Sequence, residues 1–295
     1  MDQFSISQLQ QLSGIKAHTI RIWEQRYGAL VPERSEGNTR YYDSHQLRRL
    51  LNIVSLLKDG YKISQIGPME DEELARLLSL KLEESRLTKD KNEYYVSQLI
   101  AAAVSYDEAY FNTVYHQCIQ QQGLKNTYTG VLYPLLNRMG LMWEIDSFSP
   151  AQEHFTSNLI KQKIFAAIDR FPPDADAKKK WLLFLPENEF HEIGLLFANY
   201  LLRESGHQVI YLGSNVPLNT LDKAAHEVHP TDILLFFVHH LDRNAAEDYL
   251  KRVNKIFQKA NVHIASSKTL TADIAKPGRI NFIYSPEELL NAINA

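Results

Sequence analysis

Trp181-Leu182-Leu183-Phe184-Leu185-Pro186-Glu187-Asn188-Glu189-Phe190-His191-Glu192-Ile193-Gly194 sets the pattern for the C-terminal half of the chain. An uninterrupted apolar run from Trp181 to Leu185 breaks into a polar loop, and helical spacing follows over 192–205. Short continuous apolar runs are strands covered on both faces. The stretch therefore reads as strand, loop, helix. Inside the loop, His191 stands two residues after Glu189 and three before Gly194. A metal-directed imidazole must be neutral, and an acidic neighbour fixes its tautomer. Gly194, lacking a Cβ, lets the next helix come close.

Downstream the same alternation repeats. Strands are expected at Gln208–Leu212, Asp232–Val238, Val262–Ala265 and Ile280–Tyr284, with helices at 218–227, 244–260, 269–275 and 286–294. Strand–helix units in series make a doubly wound parallel sheet that binds ligands at the carboxyl ends of its strands. The second strand runs into Tyr211-Leu212-Gly213-Ser214-Asn215-Val216-Pro217, the third into His239-His240-Leu241, and the fourth into Ser266-Ser267. Adjacent strand residues face opposite ways, so His239 and His240 do not readily share one ion.

Upstream, helical periodicity predicts elements at about 93–104, 106–122, 126–143 and 150–170. Asp107 and Ser149, the latter ahead of Pro150, suit helix starts. Four such helices with short connections form a bundle. Trp143 ends the third helix, and Glu153-His154 lies inside the fourth. Residues 69–92 read as a charged helix or helical linker.

The first 66 residues differ in charge from the rest. They carry 9 Lys+Arg against 6 Asp+Glu, and the remainder 23 against 29. A basic module on an acidic body places nucleic-acid contact at the N-terminus. Ser7-x-x-Gln10 suggests a capping box on a first helix broken at Gly14. His18–Tyr27 reads as a second helix, with Ile20, Trp23 and Tyr27 inward. Its Thr19, Arg21 and Arg26 are candidates for DNA contact. Leu30–Tyr42 reads as a β-hairpin wing whose Arg34, Arg40, Tyr41 and Tyr42 suit the phosphate backbone. A helix over Ser44–Lys58 buries Leu47, Leu50, Leu51, Val54 and Leu57. No apolar run approaches membrane-spanning length, and a single Cys118 excludes an internal disulfide. Both fit a cytoplasmic chain.

From Phe4 to Ile66 the chain resembles MerR-type transcription regulators. The likeness rests on Ser5-Ile6, Thr19-x-Arg21-x-Trp23-Glu24, Leu30-x-Pro32-x-Arg34 and Gly37-x-x-Arg40-x-Tyr42. It implies a winged helix-turn-helix that binds double-stranded operator DNA as a dimer. The pairing of Trp143…Glu153-His154 with Glu189-x-His191-x-x-Gly194 resembles the cobalamin-binding sensors of the MerR class. That resemblance implies that a cobalamin, as adenosylcobalamin or methylcobalamin, is held between a helical cap and a Rossmann-like domain. His191 would then ligate cobalt from below, with Glu189 behind it, while Trp143, Glu153 and His154 line the upper side. Light-responsive members carry a His directly after the Trp; Glu144 stands there in this chain. They also have a Ser-containing motif after the third strand and a Gly-Gly pair after the fourth, where this chain has His239-His240 and Ser266-Ser267.

The expected layout is a winged helix at 1–75, a linker at 76–92, a four-helix bundle at 93–173 and a Rossmann-like domain at 178–295. The leading reading is a homodimeric or homotetrameric regulator whose assembly or operator affinity answers to cobalamin. The alternative keeps the architecture without the cofactor, the C-terminal half serving oligomerisation or partner binding. An enzyme is disfavoured, because no segment is left for a substrate-activating domain.

Overall fold

The computed structural model of the chain describes residues 4–34, 38–58, 60–84, 88–144, 149–172, 177, 179–237, 243–271 and 280–294. They form two compact units, Met1–Ser157 and Asn158–Ala295.

The first unit opens with α1 (Ile6–Ser13) and α2 (Ala17–Tyr27). Ser-x-x-Gln occurs twice here, at Ser5…Gln8 and at Ser7…Gln10. The structure uses the first: Ser5 Oγ accepts from Gln8 N, and Gln8 Oε1 accepts from Ser5 N at 2.8 Å. The expected Ser7–Gln10 box is therefore displaced by two residues. Gln10 instead accepts the N–H of Ala17 at 2.8 Å, so α1 satisfies an open donor at the start of α2. Gly14 ends α1 with φ 73°, a left-handed turn that needs no Cβ. Ile20 and Trp23 are buried as expected and Tyr27 is half-buried.

The wing is a short antiparallel hairpin, β1 (Glu33–Arg34) with β2 (Arg40–Tyr41), in register Glu33↔Tyr41. Gly37 lies outside the described residues. Helix α3 (Ser44–Lys58) has the bounds expected. Its fully covered residues are Leu47, Leu50, Leu51, Ile53 and Leu56, whereas Val54 and Leu57 are only half-buried. The sector shifts because α3 touches α1 and α4 (Ile63–Ile66), and also α5 (Asp71–Glu84) and α6 (Thr88–Val104). Arg49 stitches the turn beneath it. Its guanidinium donates to the carbonyls of Ala29, Gly67 and Met69, and to Asp71 Oδ1 at 2.6 Å. Carbonyls turned inward must find donors, and one planar fork supplies several.

The bundle continues with α7 (Glu108–Thr127), α8 (Tyr133–Glu144) and α9 (Pro150–Ile168). Asp107 caps α7 by accepting from Tyr110 N at 2.9 Å. Ser149 and Gln152 form a reciprocal box ahead of Pro150, as the sequence suggested. Gly123, at φ 73° and ψ 170°, interrupts α7, and a π-helical turn over Tyr128–Leu132 leads into α8. Arg138 of α8 binds Glu93 of α6 with two parallel bonds of 2.9 and 2.8 Å.

The second unit is a parallel sheet of β3 (Lys180–Pro186), β4 (Gln208–Val216), β5 (Asp232–Phe237), β6 (Asn261–Ser266) and β7 (Ile280–Ile283). Its spatial order is β4-β3-β5-β6-β7. Between the strands come α10 (Ile193–Glu204), α11 (Leu221–Val228), α12 (Arg243–Ile256) and α13 (Lys268–Thr271), and α14 (Pro286–Asn294) ends the unit. Leu182, Phe184, Ile233, Leu235, Val262 and Ile264 share one face with Leu221, Leu250, Val253 and Phe257. The alternate residues meet the other layer, where α10 packs on β3, β4 and α14. Strand β3, flanked on both sides in the sheet, is buried along nearly its whole length, which is why its sequence is a continuous apolar run. The order reverses between β3 and β5, so the crevice at their carboxyl ends is the fold's ligand position. Among the described residues no helix is long and apolar enough to cross a membrane.

Candidate functional site

Two surfaces carry chemistry. On the first unit, α2 exposes His18, Arg21, Ile22, Gln25 and Arg26. The first four recur at i, i+3, i+4 and i+7, a single stripe opposite the buried Ile20 and Trp23. His18 and Gln25 were missed in the sequence. Their spacing from Arg21 is the signal that finds them once the helix start is fixed. Thr19 flanks the stripe half-buried, its Oγ1 3.4 Å from His18 Nε2.

The wing residues divide. Arg34 is exposed and donates to Asn38 Oδ1 at 2.6 Å; Tyr41 donates to Glu33 Oε2 at 2.6 Å. Tyr42 corrects the sequence expectation. It is wholly buried, its hydroxyl donates to Glu24 Oε2 at 3.1 Å, and its backbone bridges Phe4. Burial first, and the Glu24 charge second, push its phenol up to about 12. In this conformation Tyr42 is a brace under the wing and has no surface for a duplex. Arg40 Nε donates to the same Glu24 at 3.0 Å, with about a quarter of the arginine side chain exposed.

On the second unit, the loop after β3 holds His191. Glu189 is 5% exposed, and its Oε1 receives the backbone N–H groups of Phe190 and His191, each at 3.0 Å. The same oxygen accepts His191 Nδ1–H at 2.7 Å. A carboxylate only accepts, so Nδ1 carries a proton, and in the neutral ring the lone pair falls on Nε2. The His191 side chain is 57% exposed while its orienting carboxylate is sequestered. An exposed imidazole oriented by a buried carboxylate can present its outer nitrogen to a metal.

The loop is laced to the end of β4. Asn188 N donates to Asn215 Oδ1 at 2.9 Å, and Asn215 N donates to the Glu189 carbonyl at 3.0 Å. Both asparagines have positive φ, 65° and 56°, a conformation asparagine tolerates better than most residues. Gly194 opens α10 directly against β5. A Cβ there would lie 2.7 Å from the Phe236 ring, so the close approach expected of this glycine is real. At the end of β6, Ser266 Oγ donates to the Phe237 carbonyl at 2.9 Å, and Ser267 Oγ accepts from Leu270 N. His239 and His240 lie outside the described residues.

Trp143 stands on α8, but its side chain and that of Glu144 lie outside the described residues. Glu153 and His154 are in the first turns of α9. Their side chains pair at 3.2 Å, with His154 76% exposed and Glu153 also bonded by the Ser157 hydroxyl.

A winged helix-turn-helix joined to a helical bundle, followed by a parallel sheet with an oriented imidazole at its switch point, defines a DNA-binding regulator with a ligand-binding body. Comparison with known proteins makes that class specific. Residues 4–73 match the MerR HTH family of regulatory proteins, and residues 92–167 match the B12 binding domain. The chain is 28% identical over 248 residues to the HTH-type transcriptional repressor CarH of Myxococcus xanthus, covering 83% of this chain and 82% of the relative. To the repressor CarA of the same organism it is 29% identical over 235 residues, 79% of this chain and 76% of the relative. It also shares the fold of the monomethylamine corrinoid protein of Methanosarcina barkeri, with a TM-score of 0.54 and 14% identity over 68% of this chain and 97% of that one. The chain thus combines a MerR-type HTH domain with a B12-binding domain and is homologous to CarH and CarA.

Proposed function

We propose that this chain is a cytoplasmic, operator-binding transcriptional regulator whose DNA affinity answers to a bound cobalamin, adenosylcobalamin or methylcobalamin. The observation that carries the reading is the Glu189–His191 pair. A buried carboxylate fixes the tautomer of an exposed imidazole at the sheet's ligand position. Cobalamin would supply a cobalt centre, and His191 Nε2 would be the group on this chain that ligates it. Glu189 and the Asn188–Asn215 lacing hold the ring in place. Gly194 keeps the start of α10 close to the sheet. Trp143, Glu153 and His154 enter the cofactor site on the resemblance alone.

DNA recognition falls to the exposed stripe of α2, with Arg21 at its centre and Thr19 and Arg26 beside it. Arg34, Arg40 and Tyr41 of the wing sit on the flanking backbone. The operator is two-fold and the protein a homodimer or homotetramer, because one recognition helix per protomer reads one half-site. A cofactor that favours one assembly shifts the operator-bound population by its differential affinity. The relatives are transcriptional repressors, and the chain has no catalytic role in this reading.

Purified chain mixed with each cobalamin tests the ligand. Co-elution and a shifted absorption spectrum are expected, with the shift lost in His191→Ala. An unchanged spectrum without co-elution removes the cofactor and leaves the C-terminal half an oligomerisation or partner module.

A further inference from the structure

We infer that Lys161 is the positioning residue of the His191 loop; this rests on the cobalamin reading for its purpose and on the geometry for its existence. Lys161 lies in the C-terminal part of α9, which belongs to the second unit. Its ammonium donates to Glu192 Oε1 at 3.0 Å, with the two side chains only 25% and 19% exposed. The other oxygen of Glu192 accepts the Tyr211 hydroxyl of β4 at 3.2 Å. One carboxylate is thereby clamped from a helix on one side and a strand on the other.

Glu192 directly follows His191 in the chain. Its N–H donates to the Phe190 carbonyl at 2.9 Å, and its own carbonyl accepts Leu196 N at 2.8 Å in the first turn of α10. The clamp therefore fixes the residue where the loop becomes helix. Glu189 orients the imidazole ring from within the loop; Lys161, through Glu192, fixes where the loop itself stands. A partly shielded pair held at both oxygens is a geometric constraint, unlike a solvated surface pair that exchanges partners freely. The C-terminal part of α9 is thereby joined to the ligand loop within the second unit.

The test uses the full chain as Lys161→Ala, Lys161→Arg and the charge-swapped double variant Lys161→Glu with Glu192→Lys. Two readouts are taken. Amide hydrogen exchange at Phe190 and His191, without any corrinoid, reports the loop alone. The Kd for aquacobalamin and the imidazole-ligation band report the ligand site. Lys161→Ala is expected to speed exchange at both amides and to raise Kd about tenfold, the effect usual for an outer support of a metal ligand. Lys161→Arg and the swapped pair are expected to restore both, which a helix residue acting only through packing would not do. Unchanged exchange and Kd in Lys161→Ala, or a swapped pair that restores neither, overturns the inference. If the wild-type chain takes no corrinoid, the cobalamin reading falls while the exchange measurement still decides the role of Lys161.

Discussion

Arg21 and Tyr42 show how residues that look alike in sequence separate in the fold. Both belong to a basic, aromatic N-terminal module, yet Arg21 is exposed at the centre of the α2 stripe and Tyr42 is wholly buried on Glu24. Arg21→Ala is expected to weaken operator binding without lowering thermal stability. If Arg21 meets a phosphate, the slope of log K against log salt falls in magnitude by about one; if it meets a base edge, about 1–3 kcal/mol of discrimination is lost. Tyr42→Phe is expected to do the reverse, costing about 1 kcal/mol of stability by leaving Glu24 short of a donor, with operator affinity little changed. Thermal melts alongside salt-dependent binding isotherms separate the two. The Glu189–His191 pair was legible because both partners sit two residues apart in one loop. Tyr42 was not, because its partner Glu24 is eighteen residues away on another element and nothing local marks the pairing.

Elements were legible where one force dominates. Strands β3 and β5 show as apolar runs because they are covered on both faces, and α3 was placed to its ends. The capping box slipped because the same pattern occurs twice within six residues, and the structure uses the first. The Gly123 break was near an expected helix end, but the π-helical turn after it has no periodic signature. Where strands begin, chemistry adds a condition on stability. Asp232 opens β5, is 2% exposed, and accepts from Asn261 at 3.1 Å and from His263 Nε2 at 3.2 Å. Burial alone would raise its carboxyl; the hydrogen bonds from His263, Thr231 and Asn261 and the charge of Lys179 outweigh that and hold it below the ordinary 3.8. A carboxyl depressed by folding stabilises the native state fully above its unfolded value and loses that contribution as pH falls through the folded value. Acid unfolding of the second unit is therefore expected to steepen below about pH 4. Asp232→Asn is expected to flatten that limb and to be less stable than wild type at neutral pH. Trp181, whose ring lies 5.0 Å from His263, is a fluorescent reporter of it.

At the scale of the molecule, the question is how cofactor and operator come to share one free energy. Within the first unit the helix-turn-helix is fastened to the bundle. Arg48 of α3 donates to Asp107 Oδ2 at 2.7 Å and lies 4.9 Å over the Tyr110 ring, and Asp107 is also the cap of α7. Arg48→Ala is expected to leave cofactor-free operator binding near wild type and to reduce its change on adding cobalamin, a coupling measured by titrating DNA with and without the cofactor. The charge division between the basic N-terminal module and the acidic remainder pointed correctly to which end holds the helix-turn-helix. Coupling of this kind is reciprocal and typically spans about 5- to 150-fold. The most direct measurement is the Kd of the full chain for a duplex selected from random sequence, taken with and without saturating adenosylcobalamin, in wild type and His191→Ala. A change of at least about fivefold is expected in wild type, largely lost in the variant. Equal affinities with and without a cofactor demonstrably bound to the wild-type chain would contradict it.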